Sequence, residues 1–135
     1  MVKRTLSSVT ALCVVAGVAA AEDLTGEDRI LCAPGYVTHC SSGGDCETVP
    51  VGRIGLPHFL HIELDRKVIR SSDVNEDDLA TPVQTMAREN GKVYLQGIEN
   101  ERAFSILIDE ATGDGSMAII ADGETATAFL YCTAD

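Results

Sequence analysis

From Val83 to Cys132 the chain alternates apolar and polar residues with a period of two, broken only by short polar loops. That is the period of a β-strand, whose successive side chains point to opposite faces of a sheet. Asn90-Gly91 and Asp122-Gly123 are two-residue hairpin signals, because a type I′ turn takes positive φ at both central positions. Registered about the first, Glu89 faces Lys92 and Met86 faces Leu95. With Asn100-Glu101 as the next loop, Glu99 faces Arg102, Leu95 faces Ile106 and Val93 faces Ile108. Gly97 then lies across from Phe104, where a ring can cover a missing side chain. A four-residue loop from Glu110 to Gly113 sets Ile106 opposite Met117 and Phe104 opposite Ile119. It also sets Asp109 against Asp114, like charges that predict a bulge or another loop length there. Across Asp122-Gly123, Ile119 meets Ala126 and Met117 meets Ala128, with Leu130 continuing the series. A slip of one residue would turn the whole set outward. Thr85, Gln96, Ser105, Thr125 and Thr127 fall on the other face, interrupted by Tyr94, Leu107, Ile120 and Phe129.

Upstream, residues 58–64 (HFLHIEL) alternate again, turn at Asp65-Arg66-Lys67 and return through Val68 to Arg70. Residues 30–40 and 46–51 predict shorter strands around the turn Ser41-Ser42-Gly43-Gly44. Ser71 to Thr81 is acidic and aperiodic, and Pro82 ends that loop by biasing Thr81 toward an extended conformation. The expectation is an all-β fold of eight or nine strands without a helix. Its form would be a small antiparallel meander in a closed or partly closed eight-stranded barrel, since closure removes exposed edges. A two-sheet β-sandwich is the alternative.

The N-terminus has a separate character. Lys3-Arg4 precede a largely apolar run ending in Ala19-Ala20-Ala21, and Glu22-Asp23 follow, the pattern of a secretory signal peptide. Residues 1–21 are therefore read as a cleaved leader, and residues 22–135 as a single β domain. Cys13 within the leader follows Leu12 rather than a small residue, which argues against lipid anchoring. No other segment approaches the ~20 apolar residues of a membrane span. With Lys3 and Arg4 removed, 8 basic residues face 21 acidic ones, a net charge of −13. That field repels nucleic acid and anionic lipid surfaces. None of Asn75, Asn90 and Asn100 stands in an Asn-X-Ser/Thr acceptor, which favours a bacterial chain exported to the periplasm or the medium.

Cleavage leaves four cysteines, Cys32, Cys40, Cys46 and Cys132, which allow three pairings. Parity puts Cys132 on the inward face with Ala128 and Leu130, so one bridge must tie the last strand to the N-terminal region. Cys32–Cys132 with Cys40–Cys46 is the pairing expected. A metal site from Cys32, His39, Cys40 and Cys46 is the rival, but its spacing matches no zinc pattern, and adjacent His39 and Cys40 would point to opposite faces of a strand. His58 and His61 form H-x-x-H, yet residues three apart on a strand also face opposite ways. Asp73, Asn75 and Asp77 begin like a calcium loop; Asp78 then stands where glycine is needed and Gln84 where a bidentate carboxylate is needed. These residues are weak metal candidates, and no cofactor is expected. No Gly-x-Ser-x-Gly elbow or phosphate loop occurs, and disulfides would leave no nucleophilic thiol.

The function expected is a small exported, disulfide-stapled, non-catalytic binding or interaction module for a protein or small ligand. One alternative is a carrier of a small apolar ligand or metal inside the barrel. Met86, Leu95, Phe104, Ile106, Met117, Ile119 and Leu130 are large enough to fill an eight-stranded interior, so a carrier would need a cavity they leave open. A hydrolytic enzyme, the third class, would need a cleft gathering His58 or His61 with carboxylates.

Overall fold

A computed structural model describes residues 23–71 and 80–135. Residues 1–21, expected to be a leader, and the metal candidates Asp73, Asn75 and Asp77 lie outside the described residues. Among the described residues ten strands follow one another: β1 (Arg29–Ser41), β2 (Cys46–Val49), β3 (Leu60–Glu63), β4 (Val68–Ser71), β5 (Ala80–Pro82), β6 (Thr85–Glu89), β7 (Lys92–Glu99), β8 (Arg102–Asp109), β9 (Asp114–Ala121) and β10 (Glu124–Ala134). A 3-10 turn, Val51–Ile54, separates β2 from β3. The strands form one curled antiparallel sheet in the order β5-β4-β3-β1-β10-β9-β8-β7-β6, with β2 beside β1.

The meander has the register that its alternation predicts. Glu89 pairs with Lys92 and Met86 with Leu95, Gly97 with Phe104 and Leu95 with Ile106, Ile106 with Met117, and Met117 with Ala128. Two details differ. The β8–β9 ladder ends at Ile108 and Gly115, and no bulge is needed to part Asp109 from Asp114. The Asp109 carboxylate turns instead to the Lys92 ammonium at 2.6 Å and the Ala111 amide at 3.0 Å, while Asp114 pairs with Tyr131 on β10. The second difference is in the turns: Asn90 and Gly91 both have positive φ, as do Asn100 and Glu101, whereas at Asp122-Gly123 only Gly123 does.

β1 organises the rest. One of its edges pairs with β10 along almost the whole strand, with a bulge between Pro34 and Val37. Its other edge is divided, Arg29 to Cys32 pairing with β3 and Val37 to Cys40 with β2. The bulge falls between the two partners, where Pro34 has no amide hydrogen to donate. β3 therefore begins at Leu60, opposite Cys32, and not at His58 as its alternation suggests, because β1 has by then left it for β2.

A three-residue strand such as β5 is invisible to parity. It pairs with β4, and only Val83 and Gln84 separate it from β6. The Val83 amide donates to the Lys67 carbonyl and the Gln84 amide to the Gln96 carbonyl, both at 2.9 Å. The run from Ala80 to Glu89 is thus bonded first to one end of the sheet and then to the other. Gly97 makes this approach possible: a Cβ there would sit 2.5 Å from the Phe104 ring and 2.8 Å from the Pro82 carbonyl oxygen.

Two disulfides fasten the sheet. Cys32 is bonded to Cys132, its cross-strand neighbour, 100 residues away in sequence. Cys40 is bonded to Cys46 across the β1–β2 hairpin. Leu24, Ile30, Val37, Ile62, Val93, Leu95, Ile108 and Leu130 fill the interior. At the end carrying the Asn90-Gly91 turn and the 110–113 loop, the N-terminal segment closes over this core. The Leu24 amide donates to the Glu110 carbonyl. Arg88 makes a short charge-assisted hydrogen bond to the buried Glu110 carboxylate, and its guanidinium also donates to the carbonyls of Leu24 and Glu27 at 3.1 Å.

Candidate functional site

The opposite end of the sheet is not filled. A cavity of about 230 Å³ opens there, walled by Leu60 and Ile69 from β3 and β4 and by Phe104, Ile106, Met117 and Ile119 from β8 and β9. Gly55, Leu56 and Pro57, which follow the 3-10 turn, form one lip. Ser71, Thr81, Glu99, Asn100 and Arg102 supply the polar rim. Four residues of the predicted inward set, large enough by volume to fill the interior, line a void. In the β9–β10 ladder the partners of Ile119 and Met117 are the small residues Ala126 and Ala128, which take up less of the interior than larger residues would. At Gly97, across from Phe104, the place of a side chain is already taken by the Phe104 ring and the Pro82 carbonyl.

Each rim side chain has a definite position. The Thr81 hydroxyl donates to Glu99 Oε1 at 2.5 Å, joining β5 to β7. Arg102 stands directly across from Glu99 in the β7–β8 ladder. Its guanidinium makes no hydrogen bond or ion pair with another described residue. Between them the Asn100-Glu101 turn holds both residues at positive φ, 48° and 63°. Glutamate seldom takes that left-handed conformation, since its Cβ crowds the following carbonyl.

The structure scatters the histidines. His39 Nε2 lies 2.6 Å from Glu124 Oε2, and His61 Nδ1 lies 2.7 Å from Asp135 Oδ2. Neither lines the cavity. His58 is exposed in the bend before β3, next to Pro57 of the lip, and has a polar or charged contact of its own. Cys32, Cys40, Cys46 and Cys132 are all in disulfides. Among the described residues no group of three His, Cys, Asp or Glu side chains is placed to hold a metal. No helix among them is long and apolar enough to cross a membrane.

Charge is unevenly distributed around the sheet. Glu63 sits among Arg29, Arg66 and Arg70, with hydrogen bonds from Arg66 at 3.1 Å and Arg70 at 3.0 Å. Burial pushes its carboxyl up, but the Arg70 hydrogen bond and the charges of Arg66, Arg70 and Arg29 outweigh this and hold it below its ordinary value. The Lys92–Asp109 pair at the closed end is reciprocal. Its hydrogen bond raises the Lys92 ammonium and lowers the Asp109 carboxyl.

An apolar, preformed hollow with few polar groups at its mouth is the form of a small-ligand site. It offers burial for an apolar body and donors at the rim for a polar head. Sequence reasoning found the wall residues but took them as filling. The signal it passed over was the pair of small inward residues Ala126 and Ala128, which stand beside Ile119 and Met117. Compared with protein-family models, with curated proteins and with solved structures, the chain matches none.

Proposed function

We propose that this chain is a small exported, non-catalytic binding module that carries a small apolar ligand at the open end of an eight-stranded barrel. Closure of the barrel is supported by the run from Ala80 to Glu89, which bonds to β4 and then to β7, and by the amides of Val83 and Gln84, which reach opposite sides. Export is supported by the leader pattern of residues 1–21 and by the two disulfides, which persist in oxidising compartments. The observation that carries the binding reading is the cavity of about 230 Å³. Comparable apolar holes of ~150 Å³ stay dry and take up benzene-sized guests. Native mass spectrometry of the protein purified from its own host tests this. The expected result is a mass above that of the oxidised chain that returns to it on organic extraction. An apo mass, with no displacement of an apolar fluorescent probe by added hydrocarbons, would overturn the reading.

A second reading, a protein–protein interaction module, draws on the outer face. Tyr36, Phe129 and Tyr131 of the adjacent strands β1 and β10 are 75%, 71% and 62% exposed. With a net charge of −11, the chain would favour a basic protein partner, and capture of that partner would weaken steeply with salt. Capture that is unchanged by salt would count against it.

A further inference from the structure

We propose that the cavity takes an amphiphile with a single carboxylate head, held by Arg102, and a medium-length apolar tail lying against Met117 and Ile119. The inference rests on reading the cavity as a small-ligand site and names the chemistry of its guest.

The rim chemistry selects the head group. In a chain with 21 acidic and 10 basic residues, carboxylate partners for an arginine are plentiful. Among the described residues Arg102 nevertheless has no hydrogen-bond or ion-pair partner at the cavity mouth, while its cross-strand neighbour Glu99 accepts the Thr81 hydroxyl at 2.5 Å. Among the described rim residues, the side chain whose donors are left without an acceptor is thus the Arg102 guanidinium. A guanidinium presents parallel N–H donors that match a carboxylate in a bidentate fork. The Thr81 hydroxyl draws one oxygen of the neighbouring Glu99 carboxylate toward β5.

Volume and polarity select the tail. Leu60, Ile69, Ile106, Met117 and Ile119 make an apolar wall behind the polar rim, a surface that a hydrocarbon covers better than water does. A hollow of about 230 Å³ exceeds the ~150 Å³ that admits benzene and suits a chain of roughly eight to ten carbons. The source is the free amphiphile and not a bilayer, since a net charge of −11 opposes approach to an anionic membrane.

The test is a titration of the oxidised protein, with its methionine methyl groups isotopically labelled, by decanoate, decanol and decyltrimethylammonium below their aggregation limits. Anionic vesicles form a separate arm. Decanoate is expected to move the Met117 methyl resonance and leave that of Met86, which does not line the cavity. It should bind about tenfold tighter than decanol, the factor that a charge-assisted hydrogen bond provides. Arg102→Gln should bring decanoate to the decanol level without changing decanol, and Arg102→Lys should recover part of the difference; unchanged thermal unfolding of both variants checks their folding. Equal affinity for decanoate and decanol, preference for the ammonium, or equal weakening of both guests by Arg102→Gln would overturn the carboxylate assignment and leave the cavity reading standing. A response to vesicles but not to free decanoate would also overturn it. If no guest moves Met117, the cavity reading itself fails.

Discussion

The two ends of this sheet are made from the same strands and finished in opposite ways. Where β6 turns into β7, the left-handed positions are Asn90 and Gly91, residues suited to them. Leu24 plugs the core there, and Arg88 neutralises the buried Glu110 while satisfying two carbonyls of the plug. Where β7 turns into β8, Glu101 takes a left-handed conformation that glycine would adopt at lower cost, and a cavity stands in place of a plug. One end is finished for stability, whereas the other keeps an empty volume and a strained turn beside it. Strain of that kind gathers where a protein presents a functional surface.

The bridges give the largest way to break this contrast. Replacing Cys32 and Cys132 by Ala should cost ~4–5 kcal/mol on the chain-entropy account of a 100-residue loop. Replacing Cys40 and Cys46, six residues apart, should cost about 2 kcal/mol. Urea unfolding of both double variants measures the difference, and equal losses would remove it. Next, Arg88→Met should cost about 3 kcal/mol by leaving the Glu110 carboxylate buried without its partner. Arg102→Gln at the open rim should change stability by no more than about 0.5 kcal/mol. If the two arginines matter alike, the ends are not differently finished. Smaller still, Glu101→Gly should raise stability by about 1 kcal/mol, and Gly91→Ala should lower it by a similar amount. The smallest effect concerns pH. Glu63 and Asp109 are held below their ordinary values, so their stabilisation is present at neutral pH and fades as pH falls below about 4 through their folded pKa values. Lys92 is raised; its contribution persists up to about pH 10 and is lost above it. Thermal melts of Glu63→Gln should differ from the parent at pH 7 and converge with it near pH 2.

The meander was legible because turn chemistry and parity act together. Asn90-Gly91 sets a register, and every later apolar pair either fits that register or contradicts it. The position of Cys132 followed from the same parity, and it is there that Cys32 meets it. β5 was not legible, since three residues ending in Pro82 carry no period. The division of β1 between β2 and β3 was hidden as well, because a bulge at Pro34 to Val37 shifts parity without a turn residue to announce it. For the cavity, the large residues Phe104, Met117 and Ile119 attracted attention, although Met117 and Ile119 stand beside the small Ala128 and Ala126. Arg102 was read only as the cross-strand partner of Glu99. The hydroxyl that Glu99 accepts belongs to Thr81, a residue of the strand that parity could not find.

β2 lies off the path of the sheet and, among the described residues, pairs only with β1, so its outer backbone edge is a template on which another chain could add a strand. The edge is four residues long, flanked by Asp45 and Pro50 and carrying Glu47, and Cys46 is covalently fixed to β1. Short length, negative charge and a terminating proline are the means by which sheet proteins resist edge-to-edge growth. The six-residue bridge thus has a colloidal role beside its small share of stability: it keeps that edge docked and short. Reduction would release the strand most able to recruit a copy of itself, and aggregation rather than unfolding would be its first sign.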